Sequence, residues 1–144
     1  MSGGIPFNGK YNSVSGSKTS LQNKIETIFT NLVKSGLFET IAIYNEDGLP
    51  IIANQLSSQG DNPESIEVSL FMATVRKNIN RISDLGHINE IVVSGSNGKR
   101  VIFRYIPFFG QDATIVATVP AGQYYRNITN KLQKTLTQLC EMEA

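Results

Sequence analysis

The sequence predicts one α+β domain, a three-layer α/β/α sandwich around a five-stranded, mostly antiparallel sheet. Three observations predict it. Residues 41–55 contain two apolar runs joined by Asn45-Glu46-Asp47-Gly48, and Asp-Gly between β-prone runs is a strong hairpin signal. Amphipathic helix patterns lie on both sides of this hairpin. Three more β-prone segments and a last helix follow, which gives the order α-β-β-α-β-β-β-α.

Residues 1–18 precede the first helix and are rich in Gly, Ser and Asn, with few aliphatic side chains. Such a segment buries too little apolar surface to offset its loss of conformational entropy, so we expect a flexible tail. Phe7 and Tyr11 are the tail residues best suited to docking on the domain. Residues 19–144 fit the usual size of a single domain.

The first helix is predicted over residues 19–35, with Gly36 as its left-handed stop. Its apolar side chains repeat on one face at helical spacing, namely Leu21, Ile25, Ile28, Phe29, Leu32 and Val33. Strands are predicted over residues 38–44 and 49–55. Apolar residues alternate onto both sides of the first of these strands, so we expect helices to cover both faces of the sheet.

The remaining elements are a middle helix, three strands and a final helix. The middle helix is predicted to begin after a cap at Asp61 or Asn62, with Pro63 in its first turn, and to continue to about Leu85, with Gly86 after its end. Strands are predicted over 88–94, 99–106 and 113–119, the last two joined by a longer connection through Pro107, Gly110 and Asp112, and the final helix over 123–141. We expect the two terminal helices to share one face and the middle helix to cover the other.

The predicted middle helix has two apolar sides, whereas a surface helix needs one. Phe71, Val75 and Ile79 belong to the stripe expected on the sheet. Nearly opposite this stripe lie further residues, namely Ile66, Leu70 and Ala73, continued by Lys77 and Arg81. Either Ile66 packs locally and Leu70 is a lone exposed leucine, or this side is a partner surface with a polar rim.

The third predicted strand extends this interpretation. Residues 89–93 are β-prone, and we expect them at an edge of the sheet. An unblocked edge invites pairing with a second copy. A two-fold axis at that edge would also bring two middle helices together.

The composition excludes several classes of function. Lys and Arg number 13 against 12 Asp and Glu, a net charge of +1, so we expect no nucleic-acid partner. No apolar run approaches the ~20 residues that span a bilayer, and we expect no transmembrane segment. The single cysteine, Cys140, and the lack of an apolar targeting segment favour a cytoplasmic location.

No residue pattern indicates catalysis. Residues 4–10 imitate the start of a phosphate-binding loop, but Tyr11 stands where a Ser or Thr is required and no strand precedes them. His87 is the only histidine and lacks Cys or carboxylate neighbours at metal-ligand spacing. A nucleophile elbow is absent as well. We therefore expect no enzyme activity, no cofactor and no metal site.

The chain resembles the Roadblock/dynein light chain family over residues 19–142. Three stretches carry the resemblance: the hairpin of residues 41–51 with its acidic-Gly-Leu-Pro turn, the long helix of residues 65–85, and the closing meander of residues 90–119 before a final helix. The family includes bacterial polarity-GTPase activators and small subunits of the lysosomal Ragulator scaffold. The resemblance implies a fold of the Roadblock or profilin-like type.

The resemblance also implies a dimer, formed with itself or with a paralogous chain, in which the third strand and the middle helix create a continuous ten-stranded sheet. Such dimers bind Ras-like small GTPases as regulators or scaffolds and are not NTPases themselves. The residues that match the assembly region are Leu70, Ala73, Lys77, Ile91 and Val93. No catalytic arginine transfers from the family; solvation or ion pairing at the surface explains Arg76, Arg81, Arg100 and Arg104 more simply.

Two other functions stay open. A profilin-like or generic peptide-binding module is the main alternative, and a small-molecule sensor with a ligand between its layers is the weaker one. An obligate dimer in solution favours the Roadblock interpretation, and a strict monomer favours the profilin-like one. Stabilisation by a small ligand would favour the sensor.

Overall fold

A computed structural model describes residues 16–53, 70, 74–75, 77–79, 81 and 84–143. Its elements are α1 (Gly16–Lys34), β1 (Thr40–Asn45), β2 (Pro50–Ala53), β3 (Glu90–Ser94), β4 (Arg100–Phe108), β5 (Gln111–Val119) and α2 (Arg126–Glu143). The described residues from 70 to 81 are helical and are called the middle helix. The predicted tail of residues 1–18 overlaps α1, which begins at Gly16; residues 1–15 lie outside the described part.

The five strands form one sheet in the order β2-β1-β5-β4-β3, and every pairing is antiparallel. The predicted hairpin and the predicted three-stranded meander therefore lie side by side, joined by β1 and β5. This arrangement confirms the α+β fold class. It also places β2 and β3 at the two edges of the sheet, as expected for β3.

The first face of the sheet packs against α1 and α2. Ile25 and Phe29 of α1 and Leu136 of α2 are fully buried against inward residues of the strands, such as Ile43 and Ile115. A fully buried side chain of this kind contributes on the order of 1.5–3 kcal/mol. The two terminal helices share this face, as the sequence predicts.

The second face of the sheet is also covered. Phe103, Tyr105 and Tyr44 point away from α1 and α2 by strand alternation, yet they are only 2–8% exposed. The chain between β2 and β3 joins opposite edges of the sheet, which lie roughly 19 Å apart. Since α1 and α2 occupy the first face, we infer that the middle helix covers the second one.

The turn between β4 and β5 differs from the predicted long connection. Phe108 pairs with Gln111, so the turn has only two residues, and both have positive φ, 54° at Phe109 and 77° at Gly110. The ladder continues through Pro107 and Asp112. Strand β3 begins at Glu90, opposite Arg104, so no described strand pairs with this side of β4 at Pro107. Pro107 is tolerated there because its missing N–H leaves no described partner unpaired.

Candidate interaction surface

Among the residues that the structure describes, no strand pairs with the outer edge of β3, and this strand carries apolar side chains. Val93 is 48% exposed and Val92 37% exposed, while Ile91 is half-buried. Ile91 and Val93 lie on the second face, opposite Phe103 and Val101 of β4. An exposed β-branched strand at a sheet edge is a template for a further strand.

The hydrogen bonds between β3 and β4 determine which backbone N–H and C=O groups of β3 point away from β4. Tyr105 N donates to Asn89 O at 3.0 Å, and Gly95 N donates to Lys99 O at 2.8 Å. Hydrogen-bonded pairs alternate in an antiparallel ladder, so Ile91 and Val93 bond to β4. The N–H and C=O groups of Glu90, Val92 and Ser94 consequently point to the open edge.

The opposite edge of the sheet is poorly suited to pairing. Strand β2 has only four residues and begins with Pro50, and the β1–β2 register is irregular between Ile43 and Tyr44. Short strands, prolines and bulges are the devices that block an edge. Strand β3 has none of these, so it is the edge available to a partner strand.

The middle helix shows two sides among its described residues. Leu70 is 43% exposed, and Lys77 and Arg81 are exposed on the same side. Val75 and Ile79, which a helical wheel places roughly 140–180° from Leu70, are half-buried. Of the predicted contact residues, Ile66 and Ala73 lie outside the described part of the chain. A role in a partner contact stays a prediction for all seven predicted contact residues, namely Ile66, Leu70, Ala73, Lys77, Arg81, Ile91 and Val93.

A charge network that the sequence did not predict lies beside β3. Arg104 is 8% exposed and lies on the first face. Its Nε donates to Glu90 Oε1 at 2.8 Å, and its Nη1 donates to Asn130 Oδ1 at 2.5 Å and Gln133 Oε1 at 3.3 Å on α2. The ion pair predicted for Arg104 is present, but the residue is buried and not at the surface.

This network fixes Arg104 and connects β3 to α2. The guanidinium holds the Glu90 carboxylate and two amide oxygens at once, so it is not a mobile arginine that could reach a second protein. Two other arginines, Arg100 and Arg126, lie over the Tyr125 ring at 5.0 and 5.4 Å from its centroid. Hydrophobic patterning misses such groups, because an arginine within a strand is expected to face solvent.

Cys140, the only cysteine, lies half-buried near the end of α2 beside the backbone of Phe109. Burial raises the pKa of its thiol and so does Glu141, while the hydrogen bond with the Phe109 backbone acts in the opposite direction. The folded protein therefore favours the protonated thiol. The Cys140 thiol therefore adds to the free energy of unfolding below the pKa that it has in the unfolded chain. This contribution is lost as the pH rises through the higher pKa of the folded state.

We expect Cys140 to react slowly with iodoacetamide at about pH 7.5, because the thiolate is the nucleophile. The rate in the folded protein should fall well below that of the same chain in denaturant and should rise as the pH approaches about 9. The measurement is the alkylation rate by mass spectrometry across neutral and alkaline pH. A folded-state rate equal to the denatured one near neutral pH would show that the thiol is neither buried nor raised in pKa.

Two negative findings hold for the described residues only. Across residues 16–53 and 84–143 and the described middle helix, no three His, Cys, Asp or Glu side chains are placed to share a metal ion. Within the same residues, no helix combines the length and apolar character needed to cross a bilayer.

Comparison with known proteins finds similarity in structure and not in sequence. No family model and no curated protein matches the chain. The gliding protein MglB from Thermus thermophilus superposes with a TM-score of 0.64 at 12% identity, over 91% of this chain and 96% of that one. A Roadblock/LC7 domain from Streptomyces avermitilis superposes with a TM-score of 0.54 at 12% identity, over 81% and 92%.

Profilin IA from Acanthamoeba castellanii also superposes, with a TM-score of 0.52 at 17% identity, over 83% of this chain and 98% of that one. The layering predicted from the sequence is thus common to all three structures. At these identities the similarity establishes the architecture. The chain has the Roadblock-like fold found in MglB and in Roadblock/LC7 domains.

Proposed function

We propose that this protein is a dimeric, non-enzymatic regulator or scaffold that binds a Ras-like small GTPase. The observation that carries the proposal is the edge position of β3, to which no described strand pairs; the exposed side of the middle helix supports it. The Roadblock-like fold and the similarity to MglB support it. The cytoplasm, where Ras-like GTPases act, is the location this function requires.

Strand β3 is complementary to a second copy of itself. An antiparallel pair centred on Val92 lets the outward groups of Glu90, Val92 and Ser94 all form hydrogen bonds across a two-fold axis. In this register Glu90 lies opposite Ser94 of the partner and avoids a second carboxylate. Ile91 lies opposite Val93 of the partner on the second face, so apolar side chains meet apolar side chains.

We infer that the two-fold axis also brings the middle helices of the two copies together. On the exposed side of each helix, Leu70 supplies an apolar centre and Lys77 and Arg81 supply a polar rim. Together the two sheets form one ten-stranded sheet with a layer of two middle helices. We infer that a small GTPase binds this composite surface, which no monomer possesses.

Replacing Leu70 with Asp is expected to weaken dimer formation without unfolding the protein. Leu70 is exposed, so the monomer tolerates a charge, whereas the interface would bury two copies of it around the axis. The dissociation constant from sedimentation should rise at least about tenfold. Asn23→Asp is the control, because it adds the same charge at an exposed polar position on α1, away from the proposed interface. Loss of the fold on Leu70→Asp would place Leu70 in the core.

Binding and kinetic assays test the GTPase partner. The purified protein serves as bait for Ras-like small GTPases, each loaded with GDP or a non-hydrolysable GTP analogue. We expect a nucleotide-dependent complex that contains two copies of this chain, with altered nucleotide hydrolysis or exchange if the protein regulates and unchanged rates if it is a scaffold. A dimer that retains no GTPase in either state would contradict the proposal. A strict monomer that binds peptides would favour the profilin-like alternative.

A further inference from the structure

One end of the domain collects the start of α1, the end of α2 and the β4–β5 turn. Glu39 N donates to Thr118 O at 2.7 Å, so α1 ends beside the end of β5. At about 28 Å, α1 is as long as the nine-residue strand, and its start therefore lies at the other end of the sheet. The contact between Cys140 and the Phe109 backbone places the end of α2 there as well.

Apolar side chains are exposed at this end. Phe109 is 51% exposed and Met142 74% exposed, and Leu139 and Cys140, in the same last turns of α2, are half-buried. These four residues are called the terminal patch. An apolar patch of this kind on a soluble domain marks a contact with another segment or molecule.

The backbone conformation of the β4–β5 turn does not explain why a phenylalanine stands at position 109. Phe109 occupies the left-handed region at a φ of 54°, and Gly110 follows with 77°. Two-residue turns with positive φ at both positions favour Asn-Gly or Gly-Gly, and a bulky aromatic residue is strained there. Its ring touches Phe108 edge-on at 4.9 Å but remains half exposed. A strained and exposed aromatic ring is more consistent with a contact role than with core packing.

We propose that residues 1–15, which lie outside the described residues, dock on the terminal patch of their own chain. The segment enters the domain at Gly16, at the same end as the patch. Tyr11 and Phe7 precede Gly16 by five and nine residues, which reach at most about 17 and 30 Å. Both distances exceed the ~10–12 Å diameter of a helix, so the segment is long enough to cross α2 from the start of α1.

Charge favours the same arrangement. Lys10 is the only charged side chain within residues 1–15 and lies between Phe7 and Tyr11. The last turn of α2 contains no basic residue, while Glu141 lies beside the patch and the helix dipole is negative at this end. A docked segment therefore places its aromatic side chains on the patch and its cation near the carboxyl end of α2. This contact is independent of the proposed dimer edge.

Trypsin cleavage after Lys10 tests the docking in the full chain. Phe109→Asn removes the ring while supplying a residue that favours the left-handed turn, so this variant keeps its fold. We expect it to accelerate cleavage after Lys10 by about tenfold, which corresponds to partial burial of one aromatic side chain. Tyr124→Asn is the control, because Tyr124 is 87% exposed at the opposite end of α2. Equal cleavage rates in wild type, Phe109→Asn and Tyr124→Asn would overturn the proposal.

A second variant tests the docking from the tail. Phe7→Ser should increase the alkylation rate of Cys140, which the docked segment shields, whereas Asn8→Ser should not. Both rates should be independent of protein concentration, because the contact is within one chain. If the protection of Cys140 from alkylation disappears on dilution, a second copy and not the tail covers the terminal patch. If Phe7→Ser leaves the alkylation rate of Cys140 unchanged, the tail does not cover the patch. Either result contradicts the proposal.

Discussion

Val92→Pro is expected to give a folded monomer. The Val92 N–H points to the open edge of β3 and not to β4, so its loss removes no hydrogen bond within the monomer. In the proposed dimer the same N–H bonds to the partner strand at the two-fold axis, and the proline ring would clash with that strand. We expect the dissociation constant measured by sedimentation to rise at least about 100-fold, with a melting temperature close to that of wild type diluted to the monomer, because dimer formation itself stabilises the folded state.

Val93→Pro is the matched control at the next residue. The Val93 N–H bonds to β4, so proline there breaks the ladder inside the monomer and costs about 3 kcal/mol. For a domain of this size the melting temperature should fall by about 10 °C. A dimer that survives Val92→Pro, or two variants with equal loss of stability, would show that the edge is not the interface.

Arg104→Met is expected to cause a large loss of stability. The substitution removes the cation that holds Glu90, whose side chain is only 14% exposed, and leaves Asn130 and Gln133 without their donor. Removing one partner of a buried ion pair costs about 3–5 kcal/mol, which corresponds to a fall in melting temperature of at least about 10 °C. Thermal unfolding followed by circular dichroism measures it.

Two further variants separate burial from charge. Arg126 lies 3.9 Å from the same carboxylate but its side chain is 68% exposed, so Arg126→Met should change stability by less than about 1 kcal/mol. Adding Glu90→Leu to Arg104→Met should recover part of the loss, because the unpaired buried charge is then gone. Similar effects from Arg104→Met and Arg126→Met would show that the network does not stabilise the fold.

The sequence predicted the layers and the edge because both depend on periodicity. The 3.6-residue repeat of α1 and the Asp47-Gly48 hairpin are local signals, and they agree with the final fold. The exposed Leu70 and the half-buried Ile79 occupy the two sides that the helical pattern predicts. These properties follow from which side chains are apolar and at what spacing.

The rest depends on contacts between distant residues. The β4–β5 turn was missed because Phe109 is a rare residue in a two-residue turn, and Pro107 usually ends a strand. The Arg104 network joins β3, β4 and α2, and no local pattern indicates that these side chains meet. The Val92 N–H points away from β4 because of the register and hydrogen-bond pattern between β3 and β4, and this pattern is visible only in the paired strands.

Amide hydrogen exchange of the wild-type protein, followed residue by residue in β3, tests the proposed dimer edge most directly. Ile91 and Val93 bond to β4 and should be protected in any oligomeric state, so they are internal controls. If the edge is paired with a second copy, the amides of Glu90, Val92 and Ser94 are protected to a similar degree. If these three amides exchange rapidly while Ile91 and Val93 stay protected, the edge is open to water and the proposed dimer is wrong.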